Sequence, residues 1–308
     1  MTATRPDHGE GASDDVIAVR PRLLGLAYRM LGDFDEAEDV VQEAYLRWQS
    51  ADQASIRSPE AWLVTVTTRL AVDQLRRAGK ERAEYPGPWL PEPIAVSATE
   101  IASTSAAPND NVELASDLSM ALLVLLEQLR PEERAAFLLR EVFDADYEEI
   151  ARILERSQDA IRQMVHRART RIHAGRPRVA LSPGEHERLL ERFTTALAHD
   201  DAEGLVALLA PDVVLATDGG GRVRAATRWL AGPERVSKFL LGVKKKGAAN
   251  QVVRLTYLNG EPALLSTENG VVVSTCSFEI DETGIRALHI VRNPEKLGHT
   301  LTLAEPLV

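Results

Sequence analysis

The sequence predicts a multidomain protein in which two all-α modules precede an α+β domain. Apolar residues recur at helical spacing from about Val16 to Arg82, and the same spacing resumes between Asp117 and Arg176. From about Ser182 onward, two helical segments lead into segments with strand-like alternation and turns. At 308 residues, of which 44% are hydrophobic, the chain is long enough for two or three domains of ordinary size.

Composition excludes several classes of protein. No stretch approaches the length of apolar run that spans a membrane, and residues 1–15, which we expect to be flexible, have no apolar core typical of a secretory signal. The single cysteine, Cys276, lies in an alternating apolar run and predicts a small core residue in a reducing cytoplasm. The formal net charge of -10 argues against a simple nucleic-acid coat, although the charge is unevenly distributed. We predict a cytoplasmic protein without a metal or cofactor.

The first helical module contains one helix with a strongly acidic face. In Asp35–Trp48 the apolar residues form a single stripe, and Asp33 with Glu36 forms a capping box that begins the helix. The polar side carries Asp35, Glu38, Asp39, Gln42 and Glu43. Because an acidic surface repels phosphate, its expected partner is a basic protein surface, and the alternative is an ordinary solvated face.

The last helix of this module carries a basic cluster. Ser58 is the predicted N-cap, and helical spacing continues to Gly79, although Val64–Thr68 in isolation would favour a strand. An aromatic residue followed by arginines suits melted or single-stranded DNA, although Trp62 taken alone is more often a core residue. The predicted DNA contacts here are Arg69, Asp73, Arg76, Arg77 and Lys80.

Residues 83–116 are predicted to form an acidic linker. They contain no Lys or Arg and are rich in Pro, Ser, Ala and Thr. The island Trp89-Leu90-Pro91-Glu92-Pro93 is too apolar and too stiff for a mere spacer. It indicates either a docking segment or a casual surface patch.

The second helical module has the pattern of a DNA-binding helix-turn-helix. Asp146 with Glu149 forms a capping box for the short helix YEEIARIL, and Ser157 caps a longer helix after a tight turn. Between Ser157 and Arg178 there are six arginines and one acidic residue, a charge typical of a helix lying along phosphates. The alternative is an ordinary helical bundle with a basic face, and no second ligand accompanies His166. The predicted DNA contacts here are Ser157, Gln158, Arg162, Gln163, His166, Arg167 and Arg169.

Together, the two modules resemble an extracytoplasmic-function sigma factor of bacterial RNA polymerase over residues 16–176. In that family the D-x-A-E-D-x-x-Q-E pattern, which this chain has from Asp35 to Glu43, docks on a basic coiled coil of the polymerase clamp. The resemblance implies two partners, core RNA polymerase (β and β′ subunits) and promoter DNA. Residues 16–82 would be sigma region 2, which reads the -10 element, and residues 117–178 would be sigma region 4, which reads the -35 element. Many relatives have Arg-Asn where this chain has Arg69-Leu70, so its -10 specificity is expected to differ.

Residues 182–297 look like a SnoaL-like domain, a cystatin-like cone of curved sheet with helices, followed by a tail of residues 298–308. Sigma factors of the SigJ-like subgroup carry this extension, and three of its segments occur here: WLPEP, DGGGR and NPEKL. The resemblance implies that the extension regulates the factor in cis through contacts between these segments. The residues expected at these contacts are Trp89, Leu90, Pro91, Asp218, Gly219, Gly220, Gly221, Arg222, Asn293, Pro294, Glu295, Lys296 and Leu297.

Two rival functions remain open from the sequence. A bifunctional protein would bind or transform a small molecule in the C-terminal domain, through Asp212, Asp218 or His289. Such residues near turns are more often structural, and a shared fold does not transfer activity, so no catalytic residue is predicted. A ligand-sensing repressor that binds DNA without polymerase would have no use for the acidic face.

Overall fold

The computed structural model describes residues 18–95, 118–175, 182–248 and 250–300. The described residues form two compact units, which we treat separately: the first contains 18–77 and 129–168, and the second contains the rest. The predicted flexible N-terminus, most of the acidic linker and the tail beyond residue 300 lie outside the described residues. Among the helices that are described, none combines the length and hydropathy that crossing a membrane requires.

Helices are numbered in chain order. They are α1 (Arg20–Leu31), α2 (Phe34–Ser50), α3 (Pro59–Ala83), α4 (Met120–Glu127), α5 (Pro131–Glu141), α6 (Tyr147–Leu154), α7 (Gln158–Gly175), α8 (Pro183–Ala198), α9 (Ala202–Leu208) and α10 (Pro233–Lys244). Short 3-10 turns cover Gln53–Ser55 and Pro294–Lys296.

Local signals begin and end the helices of the first unit. Gly32 ends α1 with a left-handed φ of 69°, and Asp33 begins α2 by accepting a hydrogen bond from the Glu36 N–H at 3.0 Å. The segment Val64–Thr68 is helical, as predicted from the surrounding apolar spacing. The prediction that α3 ends at Gly79 was wrong, because Gly79 keeps a helical backbone and the helix continues to Ala83.

The apolar stripe of α2 packs into the core of the first unit. Its members are Ala37, Val40, Val41, Ala44 and Trp48, all buried as the spacing predicted. The Trp48 ring meets the half-buried Trp62 of α3 edge to face, with ring centroids 5.5 Å apart, so Trp62 contributes to packing. This burial turns the acidic side of α2 toward solvent.

The second unit is built on a six-stranded sheet in the order β2-β1-β6-β5-β4-β3. Its strands are β1 (Leu209–Asp218), β2 (Leu230–Ala231), β3 (Gln251–Leu258), β4 (Glu261–Glu268), β5 (Val271–Asp281) and β6 (Gly284–Val291). The β1–β6 pair is parallel and the other pairs are antiparallel. Core residues of α8, α9 and α10 pack on one face of the sheet, where the rings of Phe193 and Phe278 lie 5.4 Å apart. This mixed sheet with helices agrees with the predicted α+β domain.

The other face of the sheet carries a second apolar cluster. Ala216, Leu265, Val272 and Val291 from the strands meet Leu90 of the WLPEP segment and Leu297 of the NPEKL segment. Half-buried Val124 of α4 packs against the same cluster. One face of the sheet thus holds the domain's own helices, and the other holds residues that precede the domain in sequence.

Two predictions about the C-terminal domain were wrong. The strand predicted over VVLATDGGGRVR ends at Asp218, because Gly220 and Gly221 have left-handed φ angles of 60° and 69° and cannot continue an extended strand. Helix α10 was not predicted, although Pro233 at its first turn is a recognised start signal. The predicted helix over residues 185–201 ends earlier, at Ala198.

Candidate functional site

The acidic face of α2 is accessible in the first unit. Asp35, Asp39 and Gln42 are exposed, whereas Glu38 and Glu43 are partly exposed and pair with basic neighbours. Arg20 lies 3.3 Å from Glu38 and Arg47 lies 2.8 Å from Glu43, in pairs that are half exposed on both sides. Exposed pairs of this kind contribute less than about 1 kcal/mol and exchange easily, so they do not prevent binding of another basic surface.

An apolar residue on this face was missed from the sequence. Leu46 is 51% exposed and lies three residues after Glu43 on α2, which places both side chains on the same side of the helix. A large apolar side chain on an otherwise polar helix face was the available signal. It gives the acidic face an apolar contact point as well as charge.

Arg69, a predicted DNA contact, is bound to the helix-turn-helix within the first unit. Its guanidinium donates to the backbone carbonyls of Ile153 (2.9 Å) and Arg152 (3.1 Å) and lies 3.2 Å from the Glu155 carboxylate. The last carbonyls of a helix carry partial negative charge and lack partners within the helix, so a guanidinium is a suitable cap for α6.

Arg76 makes a second contact of this type. Its guanidinium lies 2.6 Å from Glu132, at the start of α5, and 3.2 Å from Asp73 on its own helix. The hydrogen bond with Glu132 is the largest cause of a raised Arg76 pKa. Arg77 is exposed, and the Lys80 side chain lies outside the described part. In this conformation region 4 residues take the place that phosphates would take on Arg69 and Arg76.

The helix-turn-helix has the predicted form. Asp146 accepts a hydrogen bond from the Glu149 N–H at 2.7 Å, and Glu155 makes the turn with a left-handed φ of 55°. The Ser157 hydroxyl accepts from the Ala160 N–H at 3.3 Å and begins α7. The predicted core positions of α7 are buried: Ile161, Val165, Ala168 and Ile172.

Three polar side chains of α7 form its exposed face: Arg162, Gln163 and His166. The Arg162 guanidinium lies 2.9 Å from Asp159 and 5.5 Å from the centroid of the Tyr147 ring. Arg167 contacts the buried Glu133 of α5 at 3.1 Å, which anchors it to its own module. Ser157 and Gln158 are exposed at the start of the helix, and Arg169 is half-buried. The geometry therefore favours Arg162 and Gln163 for base edges.

Asp218 is the centre of the contact between the linker and the C-terminal domain, within the second unit. Its carboxylate is fully buried and accepts hydrogen bonds from the Tyr85 hydroxyl (2.6 Å) and the Leu90 N–H (2.9 Å). The ammonium of Lys296 lies 2.8 Å from the same carboxylate and donates to the Leu90 carbonyl at 2.6 Å. The segments WLPEP, DGGGR and NPEKL therefore meet at one buried ion pair.

Aromatic rings complete the environment of Lys296. Its ammonium lies 3.8 Å from the Trp89 ring centroid and 5.3 Å from that of Tyr85, and the Arg82 guanidinium lies 3.8 Å from the Trp89 centroid. Cations over aromatic faces are stabilised by the ring quadrupole, more strongly when they are desolvated. Burial and the hydrogen bond to Asp218 raise the pKa of Tyr85, so its hydroxyl remains a donor at neutral pH.

The glycines of DGGGR permit a close approach of the chain segments. Gly220 has a left-handed φ, and a Cβ there would lie 2.4 Å from the Asn293 side chain. A Cβ on Gly221 would lie 2.8 Å from Pro86 of the linker. Asn293 in turn donates to the Tyr85 hydroxyl at 3.1 Å. Arg222 and Glu295 form an exposed pair at 2.7 Å, and Pro294 is exposed.

Two contacts of the linker with this domain were not found from the sequence. Ile94 exchanges hydrogen bonds with Asn259, whose N–H donates to the Ile94 carbonyl at 2.9 Å. The buried Glu92 carboxylate lies 2.7 Å from Nδ1 of His299. Pro91, at the middle of the segment, is buried. These pairs join residues more than a hundred positions apart, so local patterns carry no signal for them.

The three candidate catalytic residues have separate structural partners. Asp212 pairs with Arg286 at 2.8 Å and Asp218 pairs with Lys296. His289 is buried against Trp229 and lies 3.6 Å from Glu279; burial lowers the pKa of His289 to about 4. Burial also raises the pKa of Glu279 to about 7. Within the described residues, no group of three or more His, Cys, Asp or Glu side chains is arranged to hold a metal ion.

Comparison with known proteins matches both helical modules to known families. Residues 16–81 match the family model of Sigma-70 region 2, and residues 119–172 match that of Sigma-70 region 4. The chain is 40% identical to the ECF RNA polymerase sigma factor SigJ of Mycobacterium tuberculosis over 250 residues, which cover 79% of this chain and 77% of the relative. It is 32% identical to the probable ECF RNA polymerase sigma factor SigI of the same species, with coverage of 91% and 92%.

The fold of the whole chain also has a counterpart among solved structures. The crystal structure of the Mycobacterium tuberculosis extracytoplasmic-function sigma factor SigJ superposes with a TM-score of 0.72 at 31% sequence identity. The match covers 96% of this chain and 100% of that one, so it includes the C-terminal sheet domain. From these matches, the chain belongs to the extracytoplasmic-function sigma factors of RNA polymerase, which act in transcription initiation and are not enzymes.

Proposed function

We propose that this sigma factor binds the core polymerase through the acidic face of α2 and selects promoters through α3 and α7. The accessible carboxylates of α2, with Leu46 beside them, support docking on a basic surface of the polymerase clamp. The β and β′ subunits are the proposed contacts, and the cytoplasm is the proposed location. The proposed boundaries are 16–82 for region 2, 83–116 for the linker, 117–178 for region 4, 182–297 for the SnoaL-like domain and 298–308 for the tail.

We propose further that the C-terminal domain regulates the factor in cis by holding the linker. The observation that carries this proposal is the buried Asp218–Lys296 pair, which binds the linker backbone at both the N–H and the carbonyl of Leu90. A covalently attached domain acts at high effective concentration, so even a weak contact of this kind is strongly populated. The linker must connect two promoter-binding modules, so a domain that fixes one end of it constrains both.

Truncated chains test the regulatory proposal. A chain ending just after Leu297 lacks His299 and its contact with Glu92, whereas a chain ending just after Thr300 keeps that contact and serves as the matched control. We expect the shorter chain to raise promoter output in run-off transcription with core polymerase, by about 5- to 30-fold if the lost contact is worth 1–2 kcal/mol. The control should match the full chain.

Two further chains extend the same experiment. A chain ending just after Arg178 lacks the whole C-terminal domain, and Trp89→Ala removes the ring beside Lys296. We expect both to differ from the full chain in core binding or promoter output. Equal behaviour of these two and of the chain ending after Leu297 would contradict regulation in cis and favour an independent role for the C-terminal domain.

A substitution in α7 tests the reading of the -35 element. Arg162→Ala should change which -35 sequences are preferred, because a base contact carries roughly 1–3 kcal/mol of discrimination. Arg169→Ala and Arg171→Ala should instead weaken binding to all sequences alike and lower the salt dependence. Selection from a promoter library with a randomised -35 element distinguishes these results. An unchanged preference in Arg162→Ala would show that another side of α7 faces the bases.

A further inference from the structure

The loop between β1 and β2 is strongly basic in a chain whose formal net charge is -10. Residues 219–232 contain three arginines, Arg222, Arg224 and Arg228, and no acidic residue. All three arginines are exposed. Only Arg222 has an ion pair given by the structure, with Glu295, and both of those side chains are about two-thirds exposed. The loop is therefore a local positive patch on the C-terminal domain, apart from the helices assigned to promoter DNA.

Side-chain hydrogen bonds hold this loop in place. The Thr217 hydroxyl lies 2.6 Å from the N–H of Ala226, from which it accepts, and 3.3 Å from the Ala226 carbonyl. The Arg292 guanidinium donates to the backbone carbonyl of Arg224 at 2.6 Å. Because the backbone is tied at Arg224 and Ala226, the exposed arginines are carried by an ordered segment, which reduces the entropy lost when they bind a ligand.

An exposed tryptophan lies at the end of the same loop. Trp229 is 47% exposed, and its ring meets the buried His289 ring edge to face at a centroid distance of 6.0 Å. The protein therefore supports the indole at one side and leaves much of its surface in solvent. An anchored aromatic ring beside exposed arginines is the combination that binds unpaired bases by stacking and phosphates by charge.

We propose that residues 222–229 form a binding site for single-stranded nucleic acid. Arg224 and Arg228 contact successive phosphates, and Trp229 stacks on an unpaired base. Duplex DNA offers phosphates but no free base face, and an acidic protein surface offers charge but no base on which an indole can stack. Single strands of DNA and RNA share the required chemistry. The site is separate from the promoter contacts proposed for α3 and α7.

Fluorescence anisotropy with the full-length chain tests this site. The probes are fluorescein-labelled oligothymidylate and oligouridylate of about 12 nucleotides, a length within the usual site size, and a duplex of equal length. Trp229→Ala should weaken single-strand binding by about 5- to 150-fold, the range measured for loss of one stacked base, and Trp229→Phe should retain most of the affinity. The double variant Arg224→Ala/Arg228→Ala should lower the slope of log affinity against log salt by about 1.4, or 0.7 for each phosphate.

A matched control removes two exposed arginines from α8 of the same domain. Arg188→Ala/Arg192→Ala makes the same change in net charge away from the loop, and it should leave both affinity and salt slope near those of the unchanged chain. Thermal unfolding of each variant checks its fold. If Trp229→Ala does not fold, Trp229→Phe and the arginine double variant carry the test.

The outcomes separate the possible ligands. Tighter binding of either oligothymidylate or oligouridylate identifies DNA or RNA as the natural source, and either result supports the site. Unchanged affinity and salt slope in the arginine double variant would overturn it. Equal competition by polyglutamate would also overturn it, because that result would mark the loop as a surface for an acidic protein.

Discussion

Reversing the charge of both Glu38 and Asp39 to Lys should weaken binding to core RNA polymerase by about a hundredfold or more. Close ion pairs at protein interfaces contribute about 1.5 kcal/mol or more each, and reversal adds repulsion to the loss of two such pairs. Both residues lie on the accessible side of α2, and Glu38 has only a half-exposed pair with Arg20, so the fold should be unaffected. Binding of labelled sigma factor to purified core polymerase, measured at several salt concentrations, gives the affinity.

The control for this experiment makes the same charge change elsewhere. Glu191→Lys/Glu203→Lys alters two exposed acidic residues on α8 and α9, and it should bind core polymerase nearly as the unchanged chain does. Circular dichroism and thermal unfolding establish that both double variants are folded. A folded Glu38→Lys/Asp39→Lys variant with normal core affinity would remove the assignment of this face to the polymerase.

Asp218→Asn should destabilise the second unit by about 3–5 kcal/mol, the usual result of removing one partner from a buried ion pair. The side chain keeps its size, but the Lys296 ammonium stays buried without its carboxylate, and the hydrogen bonds from Tyr85 and Leu90 lose a charged acceptor. Chemical unfolding followed by tryptophan fluorescence measures the loss, since Trp89 lies beside Lys296.

Adding Lys296→Met to Asp218→Asn should recover part of this loss, because the unpaired buried charge is then removed. Arg222→Ala/Glu295→Ala removes an exposed pair from the same segments and should cost less than about 1 kcal/mol. Equal stability of Asp218→Asn and the unchanged chain would mean that the linker is not held by this carboxylate.

Features that depend on neighbouring residues were predictable from the sequence. The apolar stripes of α2 and α7 and the caps at Asp33, Asp146 and Ser157 each involve residues within one or two helical turns. Helix α10 was missed although it begins with a proline. Its first turn follows a loop rich in glycine and arginine, and that loop was interpreted as the continuation of a strand.

The partner of Arg69 shows why charge patterns do not identify contacts. A run of arginines on α3 predicts an anionic partner, and nucleic acid satisfies that prediction as well as any other anionic group. In the structure the guanidinium binds carbonyls of Arg152 and Ile153, more than eighty residues away. Such a partner is decided by the packing of the first unit and is not visible in local sequence.

By itself, the sequence determined the two helical modules, the acidic face from Asp35 to Glu43, the helix-turn-helix and the α+β class of the C-terminal domain. Each of these follows from periodicity, capping or charge over a short stretch of chain. Only the tertiary structure decided that Tyr85, Leu90 and Lys296 share the buried carboxylate of Asp218. A carboxylate beside three glycines reads as a turn until folding removes it from water, because it is burial that makes each of its partners necessary.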